Sequence, residues 1–175
     1  IFEDGKKFGV NIKYSVENKP LGTAGPLSLI LDNLEDNFIV LNGDILTTLN
    51  FKNLYNTHKS KNSDATICIK KREIKVDFGV IETEKENFIK YNEKPLYSFN
   101  VSMGINVFNK NAIKSFVKAD TYLDIPDLIT AMHEKKMNVS CFFENCEWLD
   151  IGRIDDYELA VKAFEEKRKI YLKEI

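Results

Sequence analysis

Runs of apolar residues alternate with mixed apolar and polar stretches along the chain, and this pattern predicts strands and helices in turn. The run FIVL at 38–41 is apolar throughout, contains β-branched residues and stops at Asn42-Gly43, which predicts a strand covered on both faces. Further strands are predicted at 11–16, 65–70, 101–109 and 139–143, with two short strands around an acidic turn between 79 and 95. Helices are predicted after Pro26, at 52–60, 112–117 and 124–136, and from 154 onward. This alternation favours an α/β fold.

The strand at 38–41 leads into a turn that ends in a carboxylate, Asp44. Ligands in open α/β sheets bind beyond the carboxyl ends of the strands, so Asp44 is a candidate ligand. WLDIG at 148–152 places a second acid, Asp150, after two apolar residues. Mg²⁺ is typically bound by one or two carboxylates together with phosphate oxygens and water, so the pair indicates phosphate chemistry. The structural alternatives are an ordinary turn residue at Asp44 and a helix cap at Asp150.

A loop of small residues, LGTAG at 21–25, precedes the helix predicted after Pro26. Backbone N–H groups in this loop could approach a nucleotide base or a phosphate, because Gly22, Thr23 and Gly25 carry no large side chain to block them. The loop matches neither GxxxxGK[ST] nor GxGxxG. From spacing alone, a helix-entry turn is therefore favoured over a binding loop.

Three further features have both a binding and a structural interpretation. Glu93-Lys94-Pro95 offers a lysine that can pair with an anion and a carboxylate that can bind sugar hydroxyls, and a solvated charge pair is the ordinary alternative. Gly79 and Gly104 allow backbone contacts to a ligand, or they relieve crowding within strands. The basic residues at 70–72 and Lys75 are predicted to form a solvated loop, because no aromatic residues interleave them for stacking on bases.

Length and composition limit the protein class. The 175 residues, 43% of them hydrophobic, predict a single domain over 1–175. The formal net charge of -2 provides no basic field for a nucleic acid, and the apolar runs are too short to span a membrane. Three cysteines without a CxxC spacing favour a reducing cytoplasm over a disulfide framework.

Six motifs in order resemble the sugar-phosphate nucleotidyltransferase family: LGTAG at 21–25, VLNGD at 40–44, DFGVI at 77–81, EKP at 93–95, VSMGINVF at 101–108 and WLDIG at 148–152. That family makes nucleotide-sugars from a nucleoside triphosphate and a sugar 1-phosphate and releases pyrophosphate. The resemblance implies a Rossmann-like three-layer α/β fold with a mostly parallel mixed sheet. WLDIGRIDDYELA and PLGTAGPLSLI are most similar to bacterial guanylyltransferase-like members, which favours GTP.

The resemblance also implies a role for individual residues in catalysis and nucleotide binding. Asp44 and Asp150 would bind Mg²⁺, and Lys94 would contact the phosphate of the sugar. Glu17 and the loop from Leu21 to Gly25 would line the pocket for the base. These residues come from distant parts of the sequence, so the interpretation requires the fold to bring them to one edge of the sheet.

This sequence departs from the family pattern at positions that would contact the sugar. The resemblance implies that Glu93 and the backbone at Gly79 and Gly104 meet sugar hydroxyls. The family often has tyrosine where this chain has Phe78, and asparagine-alanine where it has Ser102-Met103. A tyrosine hydroxyl and an asparagine amide are thereby lost, which leaves the sugar preference open.

The family's opening Gly-rich segment, whose Arg and Lys hold the triphosphate, is not among these 175 residues, and the resemblance places it before Ile1. The chain is therefore expected to be an N-terminally truncated, C-terminal portion of the catalytic domain with little turnover of its own. Some similar proteins carry paired CBS modules ahead of this domain, and a homo-oligomer is also compatible with the resemblance. No membrane or nucleic acid partner is expected.

Two other functions compete with nucleotidyl transfer at this point. The first is a regulatory domain that keeps the fold and binds a nucleotide-sugar without reacting. Retention of Asp44, Lys94 and Asp150 favours the enzyme over this alternative. The second is a metal-dependent glycosyltransferase, which usually has an Asp-x-Asp pair where this chain has Asn42-Gly43-Asp44.

Overall fold

The computed structural model describes residues 1–152 and 154–172, with the side chains at 154 and 155 outside the described set. Its strands are β1 (Asn37–Leu41), β2 (Ile45–Thr47), β3 (Ala65–Lys75), β4 (Val80–Glu84), β5 (Asn87–Asn92), β6 (Leu96–Asn109), β7 (Val139–Phe143) and β8 (Trp148–Asp150). Its α-helices are α1 (Phe51–Ser60), α2 (Lys110–Ile113), α3 (Ile125–Glu134), α4 (Ile154–Glu166) and α5 (Arg168–Tyr171). Short 3-10 turns cover Lys6–Phe8, Gly25–Leu29 and Leu31–Asn33.

A mixed four-stranded sheet in the order β1-β6-β3-β7 forms the centre of the fold. β6 runs antiparallel to both β1 and β3, whereas β3 and β7 are parallel. Three of its strands therefore point the same way, and β6 alone is reversed. Two smaller pairs accompany it, β2 with β8 and the hairpin of β4 and β5. The α/β fold expected from the sequence is confirmed.

Each face of the central sheet has its own apolar core. On one face, Phe108 of β6 packs with Leu128 and Met132 of α3 and with the 3-10 turns. On the other face, the alternate β6 residues Met103, Ile105 and Val107 pack around Leu54 of α1. Helices therefore cover both faces of the sheet, which gives three layers. Within residues 1–152 and 154–172, no helix has the length and apolar character to cross a membrane.

The strand predicted at 11–16 is wrong. This segment adopts no regular secondary structure, and the Tyr14 and Val16 side chains are 68% and 83% exposed. Apolar alternation fits a strand, but a strand also requires a neighbour to satisfy its N–H and C=O groups. The described part of the sheet does not provide that neighbour for 11–16.

Other predicted elements differ in extent or type. The helix after Pro26 consists of two 3-10 turns, and the helix at 112–117 is α2, which ends at Ile113. The basic loop predicted at 70–72 and Lys75 is also wrong, because β3 continues to Lys75, which pairs with Leu96. The long partner strand β6 extends the ladder beyond the apolar part of the sequence, so tertiary pairing overrides local preference.

Candidate functional site

Asp44 and Asp150 lie side by side at one edge of the fold. β2 pairs with β8 so that Ile45 is opposite Asp150, and the Ile151 N–H donates to the Asp44 carbonyl at 2.8 Å. A Cβ on Gly152 would lie 3.0 Å from Asp44 Oδ2 and 3.2 Å from Asp150 Oδ1. The two carboxylates therefore converge on the space that the missing side chain of Gly152 leaves open.

Local hydrogen bonds hold this acid pair against the middle of β6. After β1, the Asn42 N–H donates to the Gly104 carbonyl at 3.0 Å. Gly104 has φ +70°, and a Cβ there would lie 2.9 Å from Asn42 Nδ2, so a glycine allows this close approach. On the other side, the Trp148 indole Nε1 donates to the Met103 carbonyl at 3.0 Å. The turn that carries Asp44 and the strand that carries Asp150 are thus attached to neighbouring residues of β6.

The donor set of the acid pair fits Mg²⁺. Both carboxylates are exposed, and each supplies hard oxygen ligands from a different strand end. Among the described residues, no group of three or more His, Cys, Asp or Glu side chains forms a larger metal cluster. A site with two acids suits an ion that completes its coordination with phosphate oxygens and water.

Gly79, Glu93 and Lys94 lie together at the β4–β5 hairpin. The Tyr91 hydroxyl lies so close to Gly79 that a Cβ at that position would overlap it. The neighbouring Glu93 carboxylate raises the pKa of Tyr91, because it disfavours the phenolate. Lys94 follows with φ +43°. Tyr91 was missed from the sequence, since only the pairing of β4 with β5 shows that it faces Gly79.

The loop at 21–25 is bound to the segment that leads into α3. The Thr23 N–H donates to Asp124 Oδ1 at 2.9 Å, and the Ala24 and Gly25 N–H groups donate to the Leu123 carbonyl at 2.8 and 2.9 Å. The Thr23 donation, followed by that of the Tyr122 hydroxyl, holds the pKa of Asp124 below its usual range. Any ligand contact by this loop must therefore use atoms other than these three N–H groups.

Two further features fix the conformation of this loop. Glu17 Oε2 accepts a hydrogen bond from the Leu21 N–H at 3.1 Å, so that carboxylate stabilises the entry to the loop. Gly22 has φ +80°, and a Cβ there would lie 2.6 Å from the Leu123 carbonyl oxygen. The Asp124 side chain makes no cap hydrogen bond to α3 and accepts from the Thr23 N–H.

The candidate residues thus form three groups. Asp44 and Asp150 lie beside Gly152, whereas Glu93 and Lys94 belong to the hairpin and the 21–25 loop forms the third group. Between residues 1–152 and 154–172, no hydrogen bond or salt bridge joins one group to another. A ligand that used all three groups would have to bridge them.

Residues 1–167 match the family model described as nucleotidyl transferase. The chain is 35% identical over 158 residues to the mannose-1-phosphate guanylyltransferase catalytic subunit beta of Dictyostelium discoideum, covering 87% of this chain and 44% of that protein. It is 30% identical over 181 residues to the UTP--glucose-1-phosphate uridylyltransferase of Synechocystis, covering 93% and 47%.

The fold also matches solved structures. That of HddC from Yersinia pseudotuberculosis complexed with GMP-PN has a TM-score of 0.64 and 21% identity, covering 88% of this chain and 67% of that chain. At this identity the likeness concerns the fold alone. The chain spans less than half the length of the two curated relatives, with 44% and 47% of each covered. The family model nevertheless extends over nearly all of the sequence, and the chain belongs to the nucleotidyl transferase family.

Proposed function

We propose that the protein transfers a nucleotidyl group from a nucleoside triphosphate to a sugar 1-phosphate, which yields a nucleotide-sugar and pyrophosphate. The convergence of Asp44 and Asp150 at Gly152 is the observation that carries this proposal. Relatives named as guanylyltransferases and a uridylyltransferase support the reaction class. GTP is favoured as the donor, since the guanylyltransferases include the relative with 35% identity.

The reaction is an in-line displacement, in which an oxygen of the sugar phosphate attacks the α-phosphorus and pyrophosphate leaves. Asp44 and Asp150 would hold Mg²⁺, which neutralises charge on the α-phosphate when it is bound. Lys94 is proposed to orient the attacking phosphate through its ammonium group. The exposed position of Lys94 beyond β5 leaves this group accessible to an anion.

The other candidates are proposed to position the substrates. Glu93 and the backbone at Gly79 and Gly104 would contact sugar hydroxyls, and Glu17 with the 21–25 loop would line the pocket for the base. The three free cysteines, Cys68, Cys141 and Cys146, agree with a location in the cytoplasm.

Metal-dependent binding of a nucleotide-sugar tests the proposal. Isothermal titration of the chain with GDP-mannose, with and without Mg²⁺, is expected to show binding that depends on the metal. Asp150→Asn is expected to abolish that dependence, because an amide oxygen is a weaker ligand than a carboxylate for a hard cation. Asp32→Asn is the matched control, since the Asp32 side chain is exposed and lies on the 3-10 turn Leu31–Asn33, which packs on the α3 side of the sheet.

The result separates the proposal from its main competitor. Loss of metal dependence in Asp150→Asn but not in Asp32→Asn supports nucleotidyl transfer. Binding of the nucleotide-sugar that is equally strong with and without Mg²⁺ would instead favour a non-catalytic nucleotide-sugar-binding domain. No binding under either condition would contradict both functions.

A further inference from the structure

A cavity of about 360 Å³ opens directly beside the acid pair. Its lining includes three consecutive cations of β3, Lys70, Lys71 and Arg72, together with Trp148 and Asp150 of β8. Its volume is within the range of small-molecule sites. The basic residues that the sequence pattern assigned to a solvated loop therefore line a cavity that also contains a candidate metal ligand.

The geometry of β3 separates the three cations into two kinds. Successive side chains of a strand point to opposite faces, so Lys70 and Arg72 share one face and Lys71 points away from them. Lys70 Nζ donates to the Cys146 carbonyl at 2.8 Å, which holds its ammonium group towards the segment before β8. Lys71 lies 3.7 Å from Glu73 on the exposed side of the strand. Lys70 and Arg72 are thus the cations that face Trp148.

In the described part of the chain Arg72 has no ion pair with an acid, whereas Lys71 is paired with Glu73 and Lys70 donates to the Cys146 carbonyl. Its guanidinium can therefore present two parallel N–H donors to an incoming anion without first breaking a salt bridge. The two cations that face Trp148, Lys70 and Arg72, are equal in number to the carboxylates that line the same cavity, Asp150 and Asp156. The preference for an anionic ligand therefore rests on the Arg72 guanidinium, which has no acid partner among the described residues.

We propose that this cavity binds a phosphoryl group of the substrate or product, with Arg72 and Lys70 as its cationic contacts. The assignment of the ligand class rests on the proposed function, because a phosphate held here would lie next to the Asp44 and Asp150 pair. Phosphate oxygens and guanidinium groups match in planar, two-point geometry, which a pair of lysines cannot reproduce. The Trp148 ring, held by its hydrogen bond to the Met103 carbonyl, also lines the cavity.

Binding of inorganic pyrophosphate without any metal tests the cavity separately from the acid pair. Isothermal titration at low salt in the presence of EDTA is expected to show binding to the chain and about tenfold weaker binding to Arg72→Gln, the range for a lost charged hydrogen bond. Lys75→Gln is the matched control, since Lys75 lies on the same strand, is paired with Asp77 at 3.5 Å and does not line the cavity. Its effect is expected to stay below about twofold.

Asp150→Asn provides a second test, in which the affinity for pyrophosphate is expected to rise instead of fall. Without metal, it removes a negative charge from the cavity wall, so pyrophosphate is expected to bind more tightly to this variant than to the original chain. The same substitution is expected to abolish the Mg²⁺ dependence of nucleotide-sugar binding. The two titrations therefore distinguish failure of the anion cavity from failure of the proposed function.

A parallel titration with mannose 1-phosphate identifies the source of the phosphoryl group. If Arg72→Gln weakens the binding of mannose 1-phosphate but not that of pyrophosphate, the cavity holds the sugar phosphate. The reverse result indicates that the cavity holds the leaving group, pyrophosphate. The proposal is overturned if neither ligand binds the original chain, or if Arg72→Gln and Lys75→Gln change the two affinities equally. Thermal unfolding of each variant establishes that a lost affinity does not reflect a lost fold.

Discussion

At the residue scale, the space above Gly152 decides whether two carboxylates can act together. Asp44 and Asp150 are 106 positions apart in the sequence, yet both have a carboxylate oxygen within 3.2 Å of the point where a Cβ on Gly152 would lie. Mg²⁺ binds its oxygen ligands at about 2.0–2.1 Å, and its coordination geometry tolerates little distortion. The absence of a side chain at 152 is thus as important for the proposed metal site as the two acids.

Gly152→Ala is therefore expected to weaken Mg²⁺-dependent binding of GDP-mannose by about tenfold or more, the effect usual for groups that position metal ligands. The methyl group would push the two carboxylates apart, because it would approach them at 3.0 and 3.2 Å. Gly43→Ala is the control in the same region, since a Cβ there meets no atom within 4 Å. Equal metal dependence in both variants, measured by titration calorimetry, would contradict the role given to Gly152.

A second glycine, Gly22, is expected to affect the stability of the fold. Gly22→Ala would place a left-handed alanine at φ +80° and bring its Cβ to 2.6 Å from the Leu123 carbonyl oxygen. Backbone strain and overlap together are expected to lower the free energy of unfolding by about 3 kcal/mol. Gly9→Ala separates the two causes, because Gly9 has φ +70° with no atom within 4 Å and should lose only about 1 kcal/mol. Urea unfolding monitored by circular dichroism measures both, and similar losses would contradict the packing argument.

At the element scale, the sequence predicted those elements whose local signals agree with their tertiary partners. α1 begins where expected because the Asn50 side chain accepts from the Asn53 N–H at 3.1 Å, and α3 packs through the apolar stripe that includes Leu128 and Met132. The segment at 11–16 has the alternation of a strand, but pairing is a non-local property. The loop predicted at the end of β3 was wrong for a related reason. Its polar residues have no local strand signal, but pairing with β6 holds them in the sheet.

The candidate site was predictable to a similar degree. Motif order predicted Asp44 and Asp150 as candidate ligands, since strand ends and turns are local features of the sequence. Their pairing depends on the β2–β8 register, and the contacts of Tyr91 with Gly79 and of Thr23 with Asp124 depend on tertiary structure. No spacing rule connects residues 101 positions apart, so these partners could not be inferred from the chain alone.

A buried polar network connects several elements and makes stability depend on pH. His58 of α1 is 1% exposed, and its ring nitrogens lie 2.8 Å from Thr66 Oγ1 of β3 and 3.0 Å from Asn37 Oδ1 of β1. Burial lowers the pKa of His58, and the charge of Asp64 opposes this only in part. In the unfolded chain, histidine has a pKa of about 6.5 and takes up its proton earlier as the pH falls.

The free energy of unfolding is therefore expected to decrease as the pH falls below about 6.5, because the unfolded state binds more protons than the folded state there. His58→Gln should flatten this slope, and His133→Gln should not, since His133 is exposed near the end of α3. Urea unfolding between pH 7.5 and 5.5 compares the slopes. A slope that is unchanged in His58→Gln would show that other groups cause the pH dependence.

At the scale of the whole molecule, the distribution of cations limits what these 175 residues can do by themselves. Nucleotidyl transfer requires neutralisation of a triphosphate, and the resemblance to the family implies for this purpose a Gly-rich segment with Arg and Lys that is not among these 175 residues. The chain has a formal net charge of -2, so no general positive field compensates. The chain should consequently bind a nucleotide-sugar and yet show little turnover, because the acid pair and the cavity at Arg72 are present within this sequence.

This chain by itself is expected to release pyrophosphate from GTP and mannose 1-phosphate at less than about one thousandth of the rate of a curated full-length relative, as when one main source of electrostatic stabilisation is removed. A coupled phosphate assay with pyrophosphatase measures this rate, with Asp150→Asn as the background control. Binding of GDP-mannose should persist in the same preparation, because the proposed metal ligands lie within the chain. A rate near that of the relative would contradict the prediction.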